Sequence, residues 1–161
     1  MAFLEKTSFT LEKTKEHLSR IGESEVGDEP LGESDLIENY LVQYALVSFY
    51  SEMEQELAKI VRNRLALSGD QKLATFLYNL NEKMIKRAKT SDMRSFLKNF
   101  GCTPEDLLSD VNESELSFYG TAIANRHQVS HASGGTMSLG DLERALDAAK
   151  KILTSVETTI R

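Results

Sequence analysis

The sequence lacks the features that are typical of membrane, secreted or disulfide-bonded proteins. Its 161 residues include one cysteine, two prolines and no tryptophan. A single cysteine excludes an intrachain disulfide framework and favours a reducing compartment. No apolar run approaches the roughly 18 residues of a membrane-spanning helix, and residues 1–20 mix Glu, Lys and Thr, unlike a signal peptide. We therefore expect one soluble, cytoplasmic protein with no membrane partner.

Valine and isoleucine are scarce beside leucine and alanine, which favours helix over sheet. Apolar residues recur at helical spacing from Ile37 to Leu65, and this predicts one long central helix that starts at an Asp35 N-cap with Glu38 as its capping-box partner. No stretch has the alternation of a strand. The predicted fold is all-α, an up-down bundle of about four core helices plus short extra helices.

The chain divides by composition into residues 1–34 and 35–161. Residues 3–20 have a few apolar residues at helical spacing, which predicts a helix with a narrow apolar face. Ile21 to Ser34 is rich in glycine and acidic residues, which predicts a mobile linker. The N-terminal helix could then dock on its own chain or reach a second subunit. Residues 35–161 form the predicted bundle.

Side-chain start signals mark the remaining helices. The third predicted helix, which starts at Asp70, should carry an apolar stripe made by Leu73, Phe76, Leu77, Leu80 and Met84. The start signals are Asp70, Ser91 (with Gly101 as the stop of that helix), Thr103 to Asp106, Asn112 to Glu115, and Ser138 to Asp141.

The charge is unevenly distributed. The net charge is −6, yet residues 59–98 hold ten Lys or Arg against three acids, a local charge of +7 that leaves −13 for the rest. Local charge, rather than net charge, attracts a polyanion. The equally weighted alternative is that these residues are the solvated faces of two helices.

The segment from Asn125 to His131 holds two of the three histidines and an arginine, just ahead of Gly134 and Gly135. On a helix, His127 and His131 lie one turn apart, with Arg126 and Ser130 on the neighbouring stripe and Arg126 about 140° from His131. A permanent cation beside imidazoles that titrate near neutrality suits phosphate binding and proton transfer.

Three other interpretations of these residue types remain open. Arg126 and His131 could cap the carbonyls at the end of their helix. His127 and His131 could ligate zinc, although Gln128 stands where a metalloprotease would place its glutamate and further ligands are distant in sequence. Cys102 could be a nucleophile, but its position after Gly101 favours a small buried side chain.

Arg126-His127-Gln128-Val129-Ser130-His131 resembles the Arg-x4-His signature of the HEPN superfamily (higher eukaryotes and prokaryotes nucleotide-binding domains). In that family Asn, Asp or His usually follows the arginine, and His127 conforms. The Phe100-Gly101 element between a long aromatic helix and the motif is similar to the RiboL-PSP-type branch.

The resemblance implies a metal-independent endoribonuclease that needs no cofactor, acts on RNA as a homodimer, and belongs to a toxin–antitoxin, abortive-infection or other defence system with a possible cognate antitoxin. Arg126 would hold the scissile phosphate, His131 would act as acid or base, and His127 would position one of these groups. The weaker candidates for substrate binding are Ser51, Glu52, Glu54 and Ser130. The alternative is a non-catalytic helical module that binds nucleotide, RNA or a partner protein.

Overall fold

The computed structural model of the protein describes residues 3–24, 32–103, 111–130 and 137–161, and for residues 21–24, 32–35 and 127–130 it describes the backbone only. Over these ranges the chain is all-helical, which confirms the predicted class, and none of their helices is long and apolar enough to cross a membrane. The helices are α1 (Glu5–Ser24), α2 (Gly32–Ala66), α3 (Gln71–Arg87), α4 (Thr90–Asn99), α5 (Glu113–Ser130) and α6 (Leu139–Thr159).

The predicted long helix is confirmed as α2, which runs unbroken for 35 residues and contacts α1, α3, α5 and α6. The N-cap prediction at Asp35 is wrong, because α2 begins at Gly32 and Asp35 lies inside the helix. Acidic residues favour the positive end of the helix dipole, so Glu33 and Asp35 suit a first turn as well as a cap. The predicted 21–34 linker is therefore shorter, and its residues 25–31 lie outside the described ranges.

Helix α1 docks on its own chain, against α2 and α6. Its start is capped by Glu52 of α2, whose buried carboxylate accepts hydrogen bonds from the Lys6 backbone N–H (3.0 Å), the Thr7 backbone N–H (2.8 Å) and the Thr7 hydroxyl (2.8 Å). The first N–H groups of a helix have no partner within it, and a carboxylate satisfies them well. Of the two placements that the sequence allowed, the structure has the one in cis.

Three of the predicted start signals act as side-chain caps, and the first two are Asp70 and Ser138. The Asp70 carboxylate accepts from the backbone N–H groups of Lys72 (2.9 Å) and Leu73 (3.0 Å) at the start of α3. The Ser138 hydroxyl accepts from the Asp141 N–H (3.1 Å) at the start of α6. Both predictions are confirmed, because a cap depends only on residues close in sequence.

Helix α5 also starts as predicted, with a reciprocal pair in which Asn112 accepts from the Glu115 N–H (2.9 Å) and Glu115 accepts from the Asn112 N–H (3.0 Å). Helix α4 begins at Thr90 rather than at the predicted Ser91, and Gly101 with φ of 79° follows its end. The helix start predicted at Thr103 to Asp106 lies outside the described residues, except for Thr103 itself.

Helix α3 does not pack on the core through its most apolar stripe. Three residues of the stripe face solvent, since Leu73 is 46%, Phe76 59% and Leu80 62% exposed. The sequence indicated the stripe but not which side of the helix is buried, and of its other members Leu77 and Met84 are partly buried. The buried residues of α3 are instead Ala74, Tyr78, Asn81 and Ile85.

One aromatic contact joins α5 to the rest of the core near the junction of α3 and α4. Tyr119 of α5 is fully buried, and its ring meets Phe49 of α2 edge-on at a centroid distance of 6.2 Å. Its hydroxyl donates to the carbonyl of Ala88, the left-handed residue (φ 50°) that ends α3. Burial raises the pKa of Tyr119 well above its ordinary value. This contact places the N-terminal half of α5 beside the C-terminal end of α3.

Candidate active site

Arg126 lies in the last two turns of α5, and its guanidinium packs on the face of Tyr50 from α2. The guanidinium carbon is 4.2 Å from the centre of the ring. A cation over an aromatic face is stabilised by the ring quadrupole, and the planar guanidinium still presents N–H donors at its edge. The side chain is half-buried. Since the guanidinium packs on α2, the structure does not support a role for Arg126 as a cap of its own helix end.

Tyr50 is a fixed platform for that cation. The residue is buried, and its hydroxyl donates to the carbonyls of Lys86 (2.9 Å) and Arg87 (3.1 Å) at the end of α3. The last carbonyls of a helix have no partner within it, and the single O–H proton of this phenol is shared between two of them. Burial, followed by the nearby Glu54 carboxylate, raises the pKa of Tyr50.

Glu54 follows Tyr50 by one turn of α2 and completes the cluster. Burial raises the pKa of this half-buried carboxyl, and the charge of Arg126, the Tyr50 hydroxyl and the charge of Lys86 oppose that rise in this order. The raised pKa shows that desolvation outweighs the three stabilising neighbours. The site therefore holds a cation on a rigid ring, next to a carboxyl that gives up its proton less readily than usual.

The three candidates on α2 are placed very differently. Ser51 is exposed and accepts a hydrogen bond from the Gln55 amide at 3.2 Å. Glu52 is occupied by the start of α1, as described above. The structure thus brings Glu54 to Arg126, while Glu52 has a structural contact and Ser51 a local one.

Two exposed cations from the end of α3 contribute to the electrostatics of the site. The charge of Lys86 acts on Glu54, and the charge of Arg87 acts on the Tyr50 hydroxyl. Lys86 pairs with Glu82 at 3.0 Å, and Arg87 lies 3.8 Å from Asp92. Both cations are mostly exposed, so these pairs are weak and a polyanion can compete for the charges.

For the histidines of the motif, the structure describes only the backbone of His127. The backbone of His127 and Ser130 is helical, so α5 continues past Arg126 to Ser130. The side chains of His127 and Ser130, and all of His131, lie outside the described residues. Their convergence with Arg126 stays a prediction.

The two other chemical interpretations gain no contact that favours them. Within the described ranges no group of three or more His, Cys, Asp or Glu side chains could hold a metal ion. The zinc interpretation depends on His127 and His131, which the ranges do not cover. Cys102 is half-buried, and its thiol contacts the carbonyl oxygen of Thr159 at 3.7 Å.

Sequence reasoning missed Tyr50 and the end of α3. The i,i+4 spacing of Tyr50 and Glu54 on one helix was a signal available in the sequence, since such a pair forms a single polar patch. Which residue stacks on the tyrosine depends on the packing of α5 against α2, and no local sequence pattern gives that.

Comparison of the chain with protein-family models, curated proteins and solved structures finds no match.

Proposed function

We propose that the protein is a metal-independent endoribonuclease of the HEPN type, acting in the cytoplasm as part of a toxin–antitoxin, abortive-infection or other defence system. One observation carries this proposal. The arginine that opens the Arg-x4-His motif is stacked on a buried tyrosine, and its charge acts on a half-buried carboxyl whose pKa is raised by burial.

The role proposed for Arg126 is to hold the scissile phosphate. A guanidinium donates two parallel hydrogen bonds to phosphate oxygens, and both strengthen as negative charge builds up on them. Stacking on Tyr50 restricts the side chain before the substrate arrives, which lowers the entropy lost on binding. Lys86 and Arg87 add positive charge at the rim, so the adjacent phosphates of the strand are attracted to the same place.

The proposed reaction is a transesterification within the RNA. The ribose 2′-oxygen forms a bond to phosphorus as the bond from phosphorus to the 5′-oxygen breaks. In this scheme His131 either takes the 2′-hydroxyl proton or supplies a proton to the leaving 5′-oxygen, and solvent water accepts or supplies the other proton. His127 positions one of these groups or the phosphate. The products are a 2′,3′-cyclic phosphate and a 5′-hydroxyl.

Glu54 is proposed as a positioning residue that acts through Arg126. Its carboxyl lies close enough for the charge of Arg126 to lower its pKa against the effect of burial. The proposed role of the carboxylate is to favour, through charge attraction, one orientation of the guanidinium over the ring. The raised pKa keeps part of the Glu54 population protonated as the pH falls, which leaves more of the cation's charge for the substrate.

A homodimer is part of the proposal, with α2, α3, α5 and α6 as the core helices of an up-down bundle in each protomer. The N-terminal half of α2 exposes large apolar residues on one face, Leu36, Tyr40, Tyr44 and Val47. Continued along the helix at the same spacing, this face reaches Glu54. An apolar strip of this kind marks an interaction surface, and pairing it about a two-fold axis would bring two Arg126 side chains toward one cleft.

The test is cleavage of single-stranded RNA by the purified protein with EDTA present. We expect the wild type to yield 2′,3′-cyclic phosphate ends, and we expect His131→Ala to lose at least about 100-fold in rate. An RNA with one 2′-deoxy position should bind equally well and stay uncut at that position.

Three results would contradict the proposal. The first is intact RNA over a broad substrate set, which together with salt-sensitive binding would favour the non-catalytic module. The second is equal cleavage by wild type and His131→Ala, and the third is cleavage at the 2′-deoxy position. A monomer by light scattering at micromolar concentration would overturn the shared cleft alone.

A further inference from the structure

Helix α3 has two distinct faces, and its more apolar face is turned to solvent. Leu73, Phe76 and Leu80 follow one another at spacings of three and four residues, so they form a continuous strip along the helix. The partly buried Leu77 borders it. Single exposed apolar side chains are ordinary, but a contiguous strip of large ones marks a binding surface.

A cleft continues this strip toward the end of α2. Its volume is about 440 Å³, and its lining includes Leu67, Leu77, Asn99 and Phe100. Leu77 borders the strip and lines the cleft, and Leu67 is mostly exposed. The strip and the cleft together give a ridge beside a depression, which is the shape that an apolar helix face from a partner can fill.

The surroundings of this surface are basic. Lys72 and Lys83 lie on one side of the strip on α3, Arg64 lines the cleft, and Lys98 precedes the cleft residue Asn99 on α4. None of the ion pairs formed within the described part of the chain uses these four cations. Their charge is available to a ligand.

Charge decides between the occupants of such a surface. Pairing two copies through this face about a two-fold axis would set the same cations against each other, which is unfavourable. A single-stranded nucleic acid prefers several exposed aromatic rings, whereas this strip has one phenylalanine among leucines. An apolar strip with cationic flanks best complements an amphipathic helix with acidic flanks.

We propose that the surface formed by Leu73, Phe76, Leu80 and the adjoining cleft binds an acidic amphipathic helix of another protein. The bound helix inserts leucine-like side chains along the strip and into the cleft, and its carboxylates face Lys72, Lys83 and Arg64. Binding at this surface is separate from the Arg126 cluster and does not require that the protein cleave RNA.

The experiment measures fluorescence anisotropy of two labelled synthetic peptides of about 20 residues with the full-length protein. Both are designed as helices with the same leucine face, and one has glutamates at the flanking positions where the other has lysines. We expect the acidic peptide to bind with a Kd in the micromolar range and the basic peptide at least about tenfold more weakly. Raising the salt concentration should weaken binding of the acidic peptide.

Matched variants locate the binding surface. Phe76→Gln should weaken the acidic peptide at least about tenfold, since it removes an exposed ring at the centre of the strip. The control is Phe9→Gln on α1, because Phe9 is 61% and Phe76 59% exposed. That change should leave binding unaltered. Lys83→Glu should weaken the acidic peptide and strengthen the basic one.

Several outcomes would overturn the proposal. These are failure of the wild type to bind the acidic peptide, equal affinity for both peptides, or equal effects of Phe76→Gln and Phe9→Gln. A fall in molar mass of Phe76→Gln by light scattering would show that a second copy covers the face. Loss of RNA binding in Phe76→Gln, with no peptide binding by the wild type, would show a nucleic-acid surface.

Discussion

Two arginines of this protein stack on tyrosine rings with nearly the same geometry. The guanidinium carbon of Arg126 lies 4.2 Å from the centre of the Tyr50 ring, and that of Arg62 lies 4.3 Å from the centre of the Tyr78 ring. Both tyrosines are buried. The contact by itself therefore does not distinguish a functional cation from one that stabilises helix packing.

The carboxyl groups beside the two pairs differ. Each tyrosine is followed one turn later by a glutamate, Glu54 after Tyr50 and Glu82 after Tyr78. Glu82 pairs with Lys86 at 3.0 Å. Glu54 is half-buried beside Arg126, and desolvation raises its pKa. The candidate site therefore differs from the Arg62–Tyr78 pair in having a half-buried arginine next to a carboxyl whose pKa is raised.

The largest expected effect comes from removing each arginine in turn. Arg126→Ala should lower the rate of RNA cleavage by about 10²–10³-fold, because a preorganised donor to the developing phosphate charge is lost. Arg62→Ala should change the rate by less than about threefold, since its guanidinium packs on Tyr78 in the middle of α3 and not at the Tyr50 site. Rates are measured on single-stranded RNA under single-turnover conditions. Equal losses in the two variants would remove the distinction between the pairs.

A smaller effect is expected from deleting each phenol hydroxyl. Tyr50→Phe breaks the hydrogen bonds to the Lys86 and Arg87 carbonyls and should lower the free energy of unfolding by about 1–2 kcal/mol. Tyr78→Phe should cost less than about 0.5 kcal/mol, since no corresponding pair of carbonyls meets its hydroxyl among the described residues. Urea denaturation measures both. Similar costs would mean that the Tyr50 platform is not specially anchored.

The smallest effect concerns pH. Because the pKa of Glu54 is raised on folding, the group stabilises the protein most below its ordinary pKa, and this contribution falls as the pH rises through the raised value. Glu54→Gln removes that fall. The Tm of the variant, relative to wild type, should therefore rise by about 1–2 °C between about pH 4 and pH 7.

The matched variant for that measurement is Glu82→Gln. It removes an exposed i,i+4 ion pair with Lys86 and should lower stability near neutral pH by about 0.3–0.5 kcal/mol. A relative Tm of Glu54→Gln that falls with increasing pH would show that the carboxylate form is stabilised at this position. That result would contradict the desolvation described here.

Local features of the fold could be predicted from the sequence, and tertiary ones could not. The Asp70 and Ser138 caps were predictable because each involves backbone groups within three residues of the cap. The length of α2 followed from its sustained apolar period. The start of α2 was misplaced because acids suit both a cap and a first turn.

The facing of α3 and the composition of the site depended on packing between distant segments. The Leu73, Phe76 and Leu80 stripe indicated an amphipathic helix, but periodicity does not say what covers the apolar face. Arg126 was identified from its motif, whereas Tyr50 was not, because only the packing of α5 on α2 brings them together. The histidine roles remain predictions, since the described residues do not include the side chains concerned.

The cap that α2 supplies to α1 has a consequence for biosynthesis. The N–H groups of Lys6 and Thr7 are translated 46 and 45 residues before the carboxylate that binds them. At a translation rate of about 5–20 residues per second, the first helix waits roughly two to nine seconds for its acceptor. Until then Phe3, Leu4 and Leu11, which are buried in the folded protein, have no helix α2 to pack against.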